Sequence, residues 1–404
     1  MNENRERLTA VRASLGRQVQ DQGLPLVDTV FWHNPGPKIG GYLAFQLQMA
    51  GCGETGAHRV DLQPRPQRFK SLSELRQHLE REHTNKHWYR GQRRRYQALY
   101  RGVIPSLIEA GLGFDAVEFQ MESLVPSVYR SFVRSSPATW HESPPLGPPL
   151  DAFAAPLRAI LRSGNEKLIE VFVQATEMIG LDTIRLLVSD RVNIGLGEKM
   201  AAPGTNVSKE IAKLISLAQH YEFNSVMVDV TRNVDIAATF ASSDWESGKR
   251  AREGGGVIYR FDASMIEKAS VDMLKGGVRS PLLGPLALLG VTDVHEIGFD
   301  LQRPVRQQGG SLFGLETAAA HFLFQMHGAL EAFVFEEDDV GADDIPEMNY
   351  LRPTDDPGLA VFDMSARDQV EPLTDDEIAD GLRRAGKSDK EVARTLSWRR
   401  DGII

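Results

Sequence analysis

Apolar residues recur every three or four positions in several stretches of the chain, and crowd into short β-rich runs in others. From Met1 to Gln20, Leu8, Val11, Leu15 and Val19 fall on one side of a helix. "FKSLSELRQHLEREH" reads as a second helix, with Ser71 and Glu74 three apart as a capping box. "KHWYRG" then reads as a short strand ending at Gly91. The pattern from Pro105 to about Val133 is mostly helical, and a proline-rich loop, "RSSPATWHESPPLGPPLD", leads to further helices. "SKEIAKLISLAQHYEFN" is a helix running into the β-rich "SVMVDVT". "NVDIAATFASS" reads as helical, "GGGVIYRFD" and "LEAFVFEED" as strands. Two short helices close the pattern, each with its own box, Thr374/Glu377 and Ser388/Glu391. The expected class is α+β, with short strands embedded in much helix.

Composition changes this picture little. A chain of 404 residues with 25% charged residues is long enough to bury a sizeable core. Its one cysteine, Cys52, excludes an internal disulfide and a multi-cysteine zinc site. The first residues lack the apolar core of a signal peptide, and "SPLLGPLALLGV" is too short and broken to span a bilayer. A cytoplasmic protein without membrane contact is the default expectation. A net charge of −9 argues against nucleic-acid binding by bulk charge, although five arginines lie between Arg90 and Arg101. Trp88, Tyr89, Tyr96 and Tyr100 are interleaved with them, a mix suited to phosphates and stacked bases. The run "FEEDDVGADDIPE" is strongly acidic.

Walker-A, HExxH, GxSxG and dinucleotide fingerprints are all missing. His83 and His87 stand at i, i+4 without a third ligand nearby, so no metal is expected there. Three segments carry candidate chemistry. In "WYRGQ", Arg90 at a strand end can fork two oxygens or form a structural salt bridge, and Gly91 allows close approach to the backbone. In "LAQHYEFNSVMVDVTRNVDIAATFASS", His220 and Tyr221 end a helix, while Asp229 and Thr231 end a strand, facing a cleft or capping the next helix. In "LQRPVRQQGGSLFG", Arg303 and Gln307 lie four apart, in a substrate-orienting position or a surface loop.

In that order, "WYRGQ…YRGVIPSLI", "AQHYEFNSVMVDVTRNVDIAATFA" and "RPVRQQGGSLF" resemble the motifs of the FRG domain family, over roughly residues 66–330. Glu222, Asn224 and Val230 depart from that family's usual Gly, Pro and Trp. The aromatic-Arg-Gly is also faintly similar to the first motif of arginine-type ADP-ribosyltransferases. The resemblance implies an ADP-ribosyltransferase-like split-sheet core at 66–335 with a helical insert at about 108–212. Around it lie an accessory segment (1–65), an acidic linker and loop (336–370) and a C-terminal helix pair (371–404). It implies a toxin or phage-defence effector that uses NAD as substrate and acts on a protein or nucleic-acid target, held in check by an antitoxin or regulatory protein. Arg90, Asp229, Thr231, Gln307 and Glu316 would form the catalytic set, with His295-Glu296 as another source of the carboxylate. Gly91, Gln92, His220, Tyr221 and Arg303 would hold the cofactor, Tyr221 by stacking on a ring. The alternative is a nucleotide- or nucleic-acid-binding module without turnover, regulated by a partner.

Overall fold

The structure is a computed structural model. It describes residues 59–61, 63–95, 97–102, 117–122, 158–170, 209–223, 227–245, 247–250, 254–275, 290–294, 301–313, 327–341, 344–362, 374–384 and 386–400, with a few isolated positions between them. The N-terminal helix, the proline-rich loop, Glu316 and most of the helical insert lie outside the described residues.

Two sheets form. The smaller has the order β1 (Arg59–Asp61), β5 (Val117–Glu122), β4 (Gln97–Gly102). The larger has seven strands in the order β2 (Gln67–Ser71), β10 (Leu330–Glu337), β7 (Gly256–Asp262), β3 (His87–Gln92), β6 (Met227–Thr231), β9 (Gly309–Phe313), β8 (Gly290–Asp293). Only β2 and β10 run parallel in it; the other neighbours are antiparallel. The molecule is therefore mixed α/β, as the sequence led us to expect. The strand β5 falls inside the stretch expected to be helical. Its pairing with β4 and β1 overrides the local pattern, as tertiary context commonly does for short apolar runs.

Strand β7 explains the centre of the fold. Val257, Ile258, Tyr259 and Phe261 are all fully buried, so both faces of this strand are covered. On one face lie α1 (Leu72–Glu82) and α3 (Val234–Ser242), whose Leu72, Leu75, Leu79, Ala237 and Ala241 pack on Tyr89, Ile258, Phe333 and Phe335. Burying each of those leucines contributes roughly 2 kcal/mol. Helix α1 starts where expected, with the Ser71 hydroxyl accepting from Glu74 N. Arg76 donates from Nε to Asp235 at 2.8 Å and ties α1 to α3. The other face buries Trp88, Val228, Val230, Tyr259, Phe261 and Leu312 with Leu124 and Phe324. Glu122 of β5, fully buried, accepts from Tyr259 Oη at 2.8 Å and pairs with Arg95, joining the smaller sheet to the larger.

Further helices are α2 (Lys209–His220), α4 (Ala263–Lys275), α5 (Gln302–Arg306), α6 (Met348–Leu351), α7 (Gly358–Val361), α8 (Asp375–Arg384) and α9 (Asp389–Arg400), and residues within 158–170 are also helical. The segment expected as an acidic linker and loop (336–370) carries α6 and α7, and two of its carboxylates, Asp338 and Asp356, are buried while Glu336, Glu337, Asp339 and Glu347 stay exposed. Asp338 accepts from Arg250 Nε at 3.1 Å, and Asp339 accepts from Ser73 N at 2.9 Å. Among the described residues, no helix is long and apolar enough to cross a membrane.

Candidate functional site

Strands β3 and β6 share a single ladder pair, Tyr89 with Thr231. Every other neighbouring pair in the large sheet shares at least four. No other ladder pair joins these two strands, and the Arg90 side chain reaches across to β6. Its Nη1 donates to the Asp229 carbonyl oxygen at 2.8 Å and stands 3.8 Å from Asp229 Oδ2. The Arg90 side chain is 16% exposed and that of Asp229 43%. Burial lowers the Arg90 pKa from its ordinary value, and the Asp229 carboxylate opposes that shift.

Alternation along β3 puts Trp88, Arg90 and Gln92 on one face, opposite Phe261, Tyr259 and Val257 of β7. Buried polar atoms without a hydrogen-bond partner include Arg90 Nε, Gln92 Oε1 and Arg93 Nε of this stretch and Asp229 Oδ1 of β6, and elsewhere Gln219 Oε1, His220 Nε2 and Arg303 Nε. Leaving such atoms unmet costs free energy.

Gly91 serves a different purpose from the one expected. A Cβ there would collide with the Ala237 carbonyl oxygen and stand 2.7 Å from Ala241 N. Helix α3 occupies the space above Gly91, so this glycine permits helix–strand packing and not ligand approach. Trp88 and Tyr89 are buried, and Arg95 is bound to Glu122 and to the Pro64 carbonyl. Those three residues do not form the stacking surface for bases that the sequence suggested.

The later candidates converge elsewhere, in a hydrogen-bonded network that leaves His220 Nε2 and Arg303 Nε without partners. His220 Nδ1 and Gln307 Oε1 are 2.8 Å apart, and Gln307 Nε2 donates to the Leu351 carbonyl at 2.9 Å. The Thr231 hydroxyl donates to the Gln307 carbonyl at 2.7 Å and accepts from Asn233 N at 3.1 Å. Asn233, not Asp229 or Thr231, is the N-cap of α3. Gln307, expected at the ligand, is buried and used at both ends of its amide. Tyr221, expected to stack on a ligand ring, is buried and stacked on Phe362 at 5.2 Å, and donates to Asp356 Oδ2 at 2.8 Å. The same Asp356 oxygen accepts from Arg303 N at 2.7 Å. The Arg303 guanidinium lies 5.4 Å from the Tyr221 ring centroid and 3.7 Å from Glu222. The Arg303 guanidinium thus faces internal partners, with its Nε left unmet.

Of the ten expected site residues, the structure brings Arg90 and Asp229 together at the seam, and Thr231 holds its one ladder pair. Asp356, Tyr259 and Glu122 are the residues sequence reasoning missed. Asp356 stands in "PTDDPG", where a turn was the natural reading.

The family model described as F-box only protein 41 C2H2 zinc finger matches residues 66–85. That span holds β2 and α1 with His78 and His83, a spacing suited to the histidine half of such a finger. The cysteine half is missing, because Cys52 is the chain's one cysteine and lies outside the match. His83 Nδ1 instead lies 3.0 Å from Tyr89 Oη, and His78 packs on Phe69 and Phe333. No curated protein and no solved structure matches the chain.

Proposed function

We propose that the β3–β6 seam is the ligand cleft of an FRG-like effector that takes NAD as substrate and transfers ADP-ribose to a protein or nucleic-acid target. One observation carries the reading: a largely buried arginine stands where a central ladder stops, beside a half-exposed carboxylate, with hydrogen-bonding atoms unmet on Arg90, Gln92 and Asp229. The separation of β3 from β6 would then be the split of an ADP-ribosyltransferase-like core. In the transfer, the bond between nicotinamide and ribose breaks with its electron pair leaving on nicotinamide. The target nucleophile bonds to the same ribose carbon and gives up its proton. Asp229 is the described carboxylate placed to stabilise the positive charge developing on the ribose.

The test is nicotinamide release and transfer of labelled ADP-ribose by wild type and Arg90→Ala. Release that falls at least 100-fold in the variant is expected; no NAD consumption by the wild type would sink the reading. A toxin role adds that Arg90→Ala relieves growth arrest and that an inhibitory partner co-purifies.

A second reading, nucleotide binding without turnover, is favoured by Gln307. It is uncharged and tied to His220 and Leu351 where the resemblance wants a carboxylate. Tight NAD binding with no nicotinamide released would select it.

A further inference from the structure

We propose that the outer face formed by α5, α6 and the turn after α3 docks a segment of another protein that sets acidic side chains beside apolar ones. The exposed large apolar side chains among the described residues are Trp245 at 44%, Val305 at 51% and Tyr350 at 53%, and these three elements carry all of them. Large apolar side chains left together in water mark an interaction surface, whereas scattered ones do not.

Helix α6 touches both of the other elements. Met348 and Leu351 are buried and fix its underside, which leaves Asn349 and Tyr350 on its outer side. The turn closed by the Ser243–Arg250 bridge lies against it: a Cβ on Gly248 would stand 3.3 Å from Asn349 Oδ1. From α5, Arg306 Nη1 donates to the Tyr350 carbonyl at 3.1 Å.

Two arginines hold the aromatic rings in place. Arg352 lies 4.1 Å from the Trp245 ring centroid and gives Nη1 to the Trp245 carbonyl at 2.7 Å. Arg306 lies 4.9 Å from the Tyr350 ring centroid and reaches the carbonyl of that same residue. One side chain thus grips the ring and the backbone of each aromatic, which lowers the entropy lost on docking. Phe240, 5.9 Å from Trp245, widens the apolar surface. Trp, Tyr and Arg are the residues that carry most of the energy at protein interfaces.

Charge selects the partner. Arg303 and Arg352 share one carboxylate, Glu222, and Arg306 meets only neutral groups, Gln302 Oε1 and Tyr350. Positive charge is therefore in excess among these contacts, in a chain whose net charge is −9. Asp244 beside Trp245 and Glu347 before α6 are exposed and interrupt that charge. Such a surface suits separate carboxylates better than the continuous charge of a nucleic-acid backbone. A second copy fits less well, because a two-fold contact brings the same excess of positive charge onto itself.

The inference stands apart from the cleft and needs no NAD. Its test pans a phage-displayed random-peptide library on the full chain, with counter-selection on Tyr350→Ala. The enriched peptide is then synthesised, and its affinity is read by fluorescence anisotropy. Enriched peptides carry Asp or Glu next to aromatic or aliphatic residues. Arg306→Glu and Tyr350→Ala each weaken the synthetic peptide about tenfold or more, whereas Arg383→Glu on α8 leaves it unchanged. Urea midpoints equal to wild type show that the variants fold, and Val305→Ser gives a third, milder loss at an exposed site. The inference is overturned if panning enriches no common sequence, or if the enriched peptides lack acidic residues. It is also overturned if Arg306→Glu leaves their affinity unmoved. Displacement of the peptide by single-stranded oligonucleotide would make this a nucleic-acid surface instead, and a wild-type dimer that Tyr350→Ala dissolves would make it a contact between copies.

Discussion

Glu222 sits at φ 69°, a left-handed conformation that suits glycine and costs other residues about 1 kcal/mol. It follows the end of α2, and the Phe223 N–H closes back on the Ala218 carbonyl, the geometry of a helix stop. The carboxylate explains the choice. Glu222 Oε1 lies 2.5 Å from Arg352 Nη2 and 3.7 Å from Arg303 Nη1, bridging two guanidiniums that crowd each other. Glu222→Gly and Glu222→Ala both lose the bridge, but only glycine relieves the backbone. Urea unfolding should therefore find Glu222→Gly more stable than Glu222→Ala by about 1 kcal/mol; equal stability would show that the backbone is not strained there. Gly91 makes a sharper case. Gly91→Ala forces β3 away from α3 and should cost at least about 3 kcal/mol in the same measurement. A variant that folds normally but loses ligand affinity would restore the ligand-approach reading of this glycine.

Helices with caps were the legible elements, because each start is written in adjacent residues. The Thr374 hydroxyl accepts from Glu377 N at 3.2 Å while Glu377 accepts from Thr374 N at 2.7 Å, and Ser388 with Glu391 repeats the exchange. Thr374→Ala should destabilise α8 by about 1 kcal/mol, seen as faster amide exchange in its first turn. Strands whose partners lie far along the chain were less legible. In β9, Gly309 lies under the His220 ring and Gly310 against the Trp88 ring, so the glycines that read as loop are the price of close packing. The candidate site divided in the same way. Arg90 and Asp229 were both singled out, and the structure brings them together. Tyr221 and Gln307 looked identical in kind, yet their partners Asp356, Phe362 and Leu351 come from a segment that composition marked as linker.

Three buried tyrosines give the whole molecule an alkaline limit. Burial pushes Tyr89 up to about 12. Burial, and then the neighbouring carboxylates of Asp356 and Glu122, push Tyr221 and Tyr259 higher still. A raised folded pKa means that stability is complete below the ordinary value of 10 and is lost as pH rises beyond it, since the unfolded chain ionises first. Urea midpoints should hold steady from pH 8 to about 9.5 and then fall, with a shallower fall in Tyr221→Phe.

The β3–β6 seam divides the large sheet into a four-strand half, β2-β10-β7-β3, and a three-strand half, β6-β9-β8. Neither half is a continuous piece of chain. The polypeptide passes from one to the other between β3 and β6, β6 and β7, β7 and β8, and β9 and β10. Helix α3 is itself one of these passages: it leaves β6 and lies across Gly91 of β3, strapping the two sides together. The halves are stitched. With four chain passages between them, no single cut in the chain separates one half from the other.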